Sequence, residues 1–241
     1  GDWSPYIYIT KNYGQSWELI VNGIPNDNPV RVVREDPIKK NLLFAGTEFG
    51  IFVSTDEGKK WSRFQKNMPI TPITDLKIHR DDLVLSTMGR SFWILDDINF
   101  LREDSNSSKP FLVKPSKAVR YRYNIPREKI NDYLEPGVFI DYNLDKNNYR
   151  NISISFFSDN GQLINSFRNG TPDNKEISEY NMQLNKFISI KTPKVTNKKG
   201  YNRFRWNLRH QGIKNGDKTI NGPHIRPGKY KVEISVDKQD I

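Results

Sequence analysis

Few residues in this sequence have the types and spacing that catalysis requires. The three histidines, His79, His210 and His224, lack the spacing of metal ligands. The absence of cysteine excludes disulfides, zinc–thiolate sites and a cysteine nucleophile. No G-x-S-x-G motif, P-loop or dinucleotide fingerprint is present. We therefore assign no catalytic residue, no metal site and no cofactor from the sequence.

The acidic residues also fall short of a hydrolytic site. Glycoside hydrolysis needs two carboxyl groups at a defined separation, and binding of a sugar carboxylate by a sialidase needs a set of arginines. Asp96 and Asp97 are adjacent but have no calcium-binding loop around them. Glu48 and Arg90 are the only charged residues in the turns that the strand pattern below places on a ligand-binding face. One acid and one arginine do not complete such a site, and surface loops are the simpler interpretation of both.

Composition sets the broad class of the protein. The 241 residues are 35% hydrophobic and 12% aromatic, a balance that favours all-β layers with one wet face. No apolar stretch approaches the roughly 18 residues of a membrane-spanning helix. The net charge of +10 is scattered along the chain without an RNA-binding motif, so we predict no nucleic-acid partner.

A repeated octapeptide organises the first hundred residues. Residues 10–17 (TKNYGQSW) reappear 44 residues later as residues 54–61 (STDEGKKW), each after a short β-branched or aromatic run. A degenerate third copy aligns residues 86–96 with residues 46–56 and so pairs Asp96 with Asp56. A period of about 40–45 residues with short strands indicates the blades of a β-propeller.

The repeated residue types indicate a tight turn. Hydroxyl and Asp or Asn oxygens accept backbone N–H groups in such turns, and glycine supplies a positive φ. The pattern resembles the Asp-box, or bacterial neuraminidase repeat, of sialidases, xyloglucanases and sortilin-type propellers, with Asn12 where the family usually has Asp. The resemblance implies a structural, non-catalytic role for these residues. They are Thr10, Asn12, Gly14, Trp17, Ser54, Asp56, Gly58 and Trp61.

The strand pattern predicts which turns share a face. The first full blade is predicted to consist of Val30–Arg34, Leu42–Gly46, Gly50–Ser54 and Trp61–Phe64, and the next of 73–78, 83–86 and 91–95. In an antiparallel blade the Asp-box turns lie on one face. The turns after the second strand, which carry Glu48 and Arg90, lie on the other face with the links 22–29 and 67–72. This second face is where we expect a ligand.

The second half of the sequence predicts a β-sandwich. Residues 102–135 are expected to form a linker, and residues 136–241 an immunoglobulin-like sandwich. Strands are predicted at 138–142, 152–157, 163–167, 201–209 and 228–236. Phe204, Trp206 and Leu208 alternate with an arginine row, and this period of two indicates sheets with one buried face. The arginine row is interpreted as a solvent-facing strand and consists of Arg203, Arg205 and Arg209.

The amino-acid sequence of this half also resembles a known C-terminal domain. Residues 200–209 (GYNRFRWNLR), then Gly222-Pro223 and 227–232 (PGKYKV), are similar to the end of bacterial sortilin-type propeller proteins, with residues 89–97 similar to their last blade. The resemblance implies a hook-capping-type immunoglobulin-like domain and a secreted or periplasmic location. It implies a non-catalytic scaffold for a protein, peptide or glycan. The alternative is the C-terminal fragment of a glycoside hydrolase with its catalytic acids in upstream blades.

Two and a half blades, residues 1–101, do not close a ring, which needs at least about four. We expect the remainder of the propeller to come from upstream chain, and an oligomer of partial propellers is the alternative. We expect the aromatic connector, with Tyr121, Tyr123 and Tyr133, to pack as a strap against residues 92–94. The last blade lacks a fourth strand, so either 111–113 or an N-terminal segment is expected to supply it.

Overall fold

A computed structural model describes residues 1–103, 109–119, 137–170, 176–181, 186–191, 194–215, 218–237 and 239–240. Their regular structure is β-strand apart from a single helical turn, so the predicted all-β class is confirmed. No helix in these ranges has the length and apolar character needed to cross a membrane. The chain divides into two compact units, residues 1–105 and 106–241.

The first unit contains three antiparallel sheets in chain order. A hairpin pairs β1 with β2, a second sheet has the order β3-β4-β5-β6, and a third has the order β7-β8-β9. These strands lie where the repeat pattern predicts them, with ends that differ by one or two residues. Their bounds are β1 (Tyr8–Ile9), β2 (Glu18–Leu19), β3 (Val30–Glu35), β4 (Leu43–Thr47), β5 (Gly50–Ser54), β6 (Ser62–Arg63), β7 (Ile73–His79), β8 (Asp82–Thr87) and β9 (Phe92–Leu95), followed by the helical turn α1 (Asn99–Arg102).

The second and third sheets repeat an irregularity as well as a strand order. The pairing of β3 with β4 shifts register between Val30 and Val32. The pairing of β7 with β8 shifts register between Ile73 and Asp75, 43 residues later. A bulge adds one residue to one strand and increases its local twist. The second and third sheets are therefore structural repeats that share this bulge as well as their strand order.

The three sheets are layers that share two apolar cores. Ile7 and Ile20 of the hairpin pack with Phe52 and Trp61 of the second sheet. A second core joins this sheet to the third and includes Phe44, Ile51, Ile73, Leu76, Leu83 and Leu85. At Gly46 a Cβ atom would lie 2.7 Å from the side chain of Ile73, so the second core requires glycine there.

The described residues of the second unit form three further sheets. Two are antiparallel, with the orders β10-β11-β16 and β13-β12-β19-β20. The third has the order β15-β14-β18-β17 and includes one parallel pair, β14 with β18. The bounds are β10 (Phe111–Leu112), β11 (Val138–Leu144), β12 (Ile152–Ser158), β13 (Leu163–Arg168), β14 (Glu176–Asn181), β15 (Lys186–Lys191), β16 (Gly200–Trp206), β17 (Ile213–Asn215), β18 (Lys218–Ile220), β19 (Tyr230–Val236) and β20 (Gln239–Asp240).

The antiparallel sheets of the second unit enclose one core. Phe156 of β12 stacks on Trp206 of β16 with 4.0 Å between ring centroids. Ile140, Tyr142 and Ile234 belong to the same cluster. The all-β class predicted for this half agrees with these antiparallel sheets, whereas the strands of the third sheet were not predicted from the sequence.

Two sequence predictions need correction here. The strand expected at 201–209 ends at Trp206, and Leu208 has a φ of +59°, which a regular strand does not accommodate. Phe111 pairs opposite Asn143, in β11 of the second unit, so it does not supply the missing strand beside β9. The ring of Phe111 meets Tyr201 edge-on at 6.1 Å, which helps to hold it there. The expected strap residues Tyr121, Tyr123 and Tyr133 lie outside the described residues.

Candidate functional site

The turn between β1 and β2 is closed by two side chains. Thr10 Oγ1 accepts the N–H of Gly14 at 2.8 Å and donates to Asn12 Oδ1 at 3.1 Å. Asn12 Oδ1 accepts the N–H of Ser16 at 2.9 Å, while Asn12 Nδ2 donates to Ser16 Oγ at 2.8 Å. Gly14 has a φ of +89°. The side chains of this turn, residues 10–17, therefore bind its own backbone, and it is called the first repeat turn below.

The second repeat turn, residues 54–61, forms equivalent bonds. Ser54 Oγ accepts the N–H of Gly58 at 2.9 Å and donates to Asp56 Oδ1 at 2.7 Å. Asp56 Oδ1 accepts the N–H of Lys60 at 3.0 Å. Burial opposes the charge of Asp56, but the hydrogen bonds from Ser54 and Lys60 outweigh it and lower the pKa of the carboxyl. An acid that is ionised and engaged in its own turn is suited to holding structure.

The two repeat turns differ in what covers them. Trp61 is 2% exposed, and its Nε1 donates to the backbone oxygen of Ile20 at 2.8 Å. A Cβ at Gly58 would lie 2.5 Å from Ile20 Cδ1. Trp17 is 60% exposed, and the nearest atom to a Cβ at Gly14 would be in the Trp17 ring, at 3.8 Å. The hairpin β1–β2 therefore covers the second turn, while the matching side of the first turn is open.

The turns at the opposite edge also repeat. Thr47 Oγ1 donates to the backbone oxygen of Gly50 at 2.9 Å, and Thr87 Oγ1 donates to that of Ser91 at 2.7 Å. The later turn is one residue longer, so β9 lies one residue out of step with the sequence alignment. The place of Asp56 in the third sheet is therefore taken by Asp97 instead of Asp96.

Asp97 is used in the same local manner. Its Oδ1 accepts the N–H of Asn99 at 3.1 Å, and its own N–H donates to Asp82 Oδ1 at 3.0 Å. His79 ends β7 opposite Asp82 and is exposed. No group of three or more potential metal ligands occurs in the part of the chain that the structure describes.

Glu48, one of the two predicted ligand-face residues, is held by an arginine. Arg31 Nε donates to Glu48 Oε1 at 2.8 Å, and a second nitrogen of the same guanidinium binds the same oxygen. Arg31 lies at the bulge of β3, a position that no motif marks in the sequence. Glu48 is therefore half of an ion pair, which makes it a poor candidate for a general acid or base.

Arg90, the second predicted residue, lies in the equivalent turn of the third sheet. It is exposed, and its side chain makes no hydrogen bond or ion pair within the described ranges. Glu48 and Arg90 are not joined by any such contact.

Beside Arg90, Met88 is 55% exposed, and Met88 O accepts the hydroxyl of Thr71 at 3.2 Å. This bond brings the link that carries the exposed Ile70 to the same edge. Ile70, Met88 and Arg90 are called the turn-edge patch below.

The most buried charges of the first unit form a structural cluster. Arg102 Nη2 donates to Asp36 Oδ2 at 2.9 Å, and Arg102 Nη1 donates to Asp81 Oδ1 at 2.5 Å and to Asn99 Oδ1 at 2.7 Å. Burial opposes the charge of Arg102, but Asp36 and Asp81 outweigh it and raise the pKa of the guanidinium. Arg102, assigned to the linker from sequence, is thus buried in the first unit. The pair was not predicted because Arg102 and Asp36 are far apart in the sequence.

The arginine row of the second unit is also engaged. Arg203 makes a bidentate pair with Asp141, with contacts of 2.7 and 2.8 Å, and lies 4.4 Å from the centre of the Phe139 ring. Arg209 donates to the backbone oxygen of Gly222 at 3.1 Å. Arg203 therefore helps to hold β11 and β16 together. The prediction that the whole arginine row faces solvent is wrong at this residue.

A shallow cleft of about 350 Å³ in the second unit lies between the 158–161 turn and the start of β19. It is lined by Lys229 and Lys231, but Lys231 pairs with Glu233 at 2.5 Å. Tyr230 donates its hydroxyl to the backbone oxygen of Arg226 at 2.6 Å. Nothing in the cleft pairs a nucleophile with a base.

Comparison with known proteins adds no further constraint. No family model matches the chain, no curated protein matches it, and no solved structure matches it. The assignment of function therefore depends on the geometry of the chain itself.

Proposed function

We propose that the first unit is part of an Asp-box β-propeller and that it acts as a non-catalytic binding scaffold, carried with an immunoglobulin-like sandwich. The repeated bulge in β3 and β7 is the observation that carries the propeller assignment. The two sheets share the order of their first three strands, the bulge and the threonine-closed turn, which supports their interpretation as copies of one repeat. Their packing through a shared core, in chain order, supports the stacking of blades.

A binding role fits the edge of the sheets opposite the Asp-box turns. The turn-edge patch combines two exposed apolar side chains with an exposed arginine. A contiguous exposed apolar patch with polar residues at its rim is typical of an interaction surface. We propose that this patch binds a peptide segment, free or within a protein, with an apolar residue next to a carboxylate. A secreted or periplasmic location remains part of the proposal.

A non-catalytic role fits the state of the carboxylates. Glu48 is paired with Arg31, and Asp75 of β7 is paired with Arg34 at 3.0 Å. Asp56 is engaged within its own turn. A hydrolase would need an acid and a second carboxyl group in a suitable position.

The test uses phage-displayed random peptides selected on the full chain. We expect enrichment of sequences with an apolar residue beside Asp or Glu, and loss of their binding in Met88→Asp and Arg90→Glu. Ile38→Asp, at an exposed residue of the β3–β4 turn, is the control that should retain binding. A selection without enrichment would contradict the binding role. Steady release of fluorophore from 4-methylumbelliferyl glycosides would instead favour the hydrolase alternative.

A further inference from the structure

The hairpin side of the first unit exposes residues whose counterparts are buried. Tyr8 pairs with Leu19 as Phe52 pairs with Arg63, 44 residues later. Phe52 is 2% exposed, whereas Tyr8 is 52% exposed. Trp17 and Trp61 differ in the same way. Further exposed apolar residues of this segment are Trp3, Tyr6 and Tyr13. The side that carries Tyr8 and Trp17 is called the receiving face.

The β9 side of the same unit exposes a second apolar face. Phe92 and Ile94 pair with β8 in the same way as Ile51 and Val53 pair with β4. Phe92 therefore corresponds to Ile51, and Ile94 corresponds to Val53. Ile51 is 1% exposed because it packs in the core between the second and third sheets. Phe92 is 76% exposed and Ile94 is 58% exposed. The side that carries Phe92 and Ile94 is called the covering face.

The chain already contains one interface between faces of these two kinds. Ile7 and Ile20 of the hairpin cover Phe52 and Trp61 of the second sheet. Ile7 corresponds to Ile51 in the repeat and therefore to Phe92 in the third sheet. One polypeptide thus exposes both halves of an interface that it also forms internally.

We propose that two copies of this chain stack head to tail, with the covering face of one copy on the receiving face of the other. This inference rests on the proposed stacking of repeated sheets and names a second copy as the next layer. Both faces are apolar, so their burial in water is favourable. Because the two faces differ, the contact is heterologous, and further copies can add at each end or close into a ring.

The contact between copies should be weaker than the internal one. Among the described residues the third sheet consists of β7, β8 and β9, and none of these residues forms the strand that corresponds to β2 and β6. Ile20, which accepts the indole N–H of Trp61, directly follows β2. The covering face therefore supplies apolar contact without the equivalent carbonyl. Association should accordingly be reversible and dependent on concentration.

Sedimentation equilibrium of the full chain tests the proposal with one variant on each face. Trp17→Asp places a charge on the receiving face, and Phe92→Asp places a charge on the covering face. Ile38→Asp is the matched control. We expect the natural chain and the control to associate. Each face variant alone should associate about tenfold more weakly or not at all. An equimolar mixture of the two face variants should form a one-to-one dimer and nothing larger, because only one productive pair of faces remains.

The outcomes separate this inference from the alternatives. A natural chain that stays monomeric overturns it, as does a Phe92→Asp variant that dimerises alone, since receiving faces would then pair with each other. Both substituted positions are exposed, so circular dichroism should show an unchanged fold. If either variant unfolds, Tyr8→Asp and Ile94→Asp replace the pair. Peptide selection on the turn-edge patch is a separate measurement, so failure of self-association is distinguishable from failure of the binding role.

Discussion

The two repeat turns, residues 10–17 and 54–61, have equivalent internal hydrogen bonds and opposite surroundings. In both turns a hydroxyl accepts the N–H of the glycine, and an Asp or Asn oxygen accepts an N–H four residues further on. In the second turn the following tryptophan is buried under the hairpin, and in the first it is exposed. Local sequence thus determines the turn, while the neighbouring layer determines how much the turn contributes to stability.

This difference follows from the packing of the sheets in layers. Each sheet buries one side against its neighbour, so the energy of a motif depends on its place in the stack. Substitutions at equivalent positions should therefore give different free energies of unfolding.

The tryptophans should give the largest contrast. Trp61→Ala removes a buried ring and its hydrogen bond to Ile20, so we expect the free energy of unfolding to fall by about 3–5 kcal/mol. Trp17→Ala removes an exposed ring and should cost less than about 1 kcal/mol. Urea denaturation of the full chain measures both. Equal losses would show that the first turn is covered in solution, as self-association predicts at high protein concentration.

The glycines should give the next contrast. Gly14→Ala and Gly58→Ala both place a Cβ at positive φ, which costs about 1–2 kcal/mol. At Gly58 the new methyl group also meets Ile20 Cδ1, which adds about 1–3 kcal/mol of overpacking. Thermal unfolding should therefore rank Gly58→Ala well below Gly14→Ala. The reverse order would contradict the close approach of Ile20.

The acid positions should differ in pH dependence. The pKa of Asp56 is lowered from 3.8 in the folded chain, so its carboxylate stabilises the fold above that value, and this contribution is lost as the pH falls through the lowered pKa. Asp56→Asn should therefore be less stable than the natural chain at neutral pH, by less than about 1 kcal/mol because the site is near the surface. The gap should close in acid. Asn12→Ser should show no such closure, since Asn12 does not titrate.

The smallest effect is expected at the ion pair that links the turns. Lys11 Nζ lies 3.2 Å from Glu57 Oε2, and both side chains are substantially exposed. Lys11→Ala should reduce stability by less than about 0.5 kcal/mol, and added salt should remove the difference. A larger, salt-resistant loss would show that the hairpin depends on this contact more than on Ile7 and Ile20.

Sequence patterns predicted what depends on nearby residues. The turns, the strands of the first unit and the facing sheets of the second follow from glycine positions, β-branched runs and period-two alternation. The register of β9 was missed by one residue because the alignment could not show the longer turn before Ser91. The sheet that contains β14 and β18 was missed because a parallel pair joins segments far apart in the chain.

The candidate site shows the same division. Glu48 and Arg90 were placed in equivalent turns from strand order alone. The arginine that holds Glu48 could not be identified, because Arg31 meets it through a bulge that shifts the register of β3. The pairing of Asp141 with Arg203 likewise depends on the register of β11 and β16. Long-range register is a property of the assembled sheet, which single-sequence patterns do not contain.

The buried pair of Asp36 and Arg102 bears on the order in which the chain folds during synthesis. Asp36 is fully enclosed, and its arginine partner follows 66 residues later. Asp36 Oδ1 also accepts the N–H groups of Ile38 and Lys39 at 2.9 and 2.6 Å. A buried carboxylate without its charged partner is still strongly unfavourable, so the second sheet should be destabilised until Arg102 has left the ribosome. The nascent chain should therefore stay protease-sensitive until the end of α1 has emerged, and then become resistant in one step.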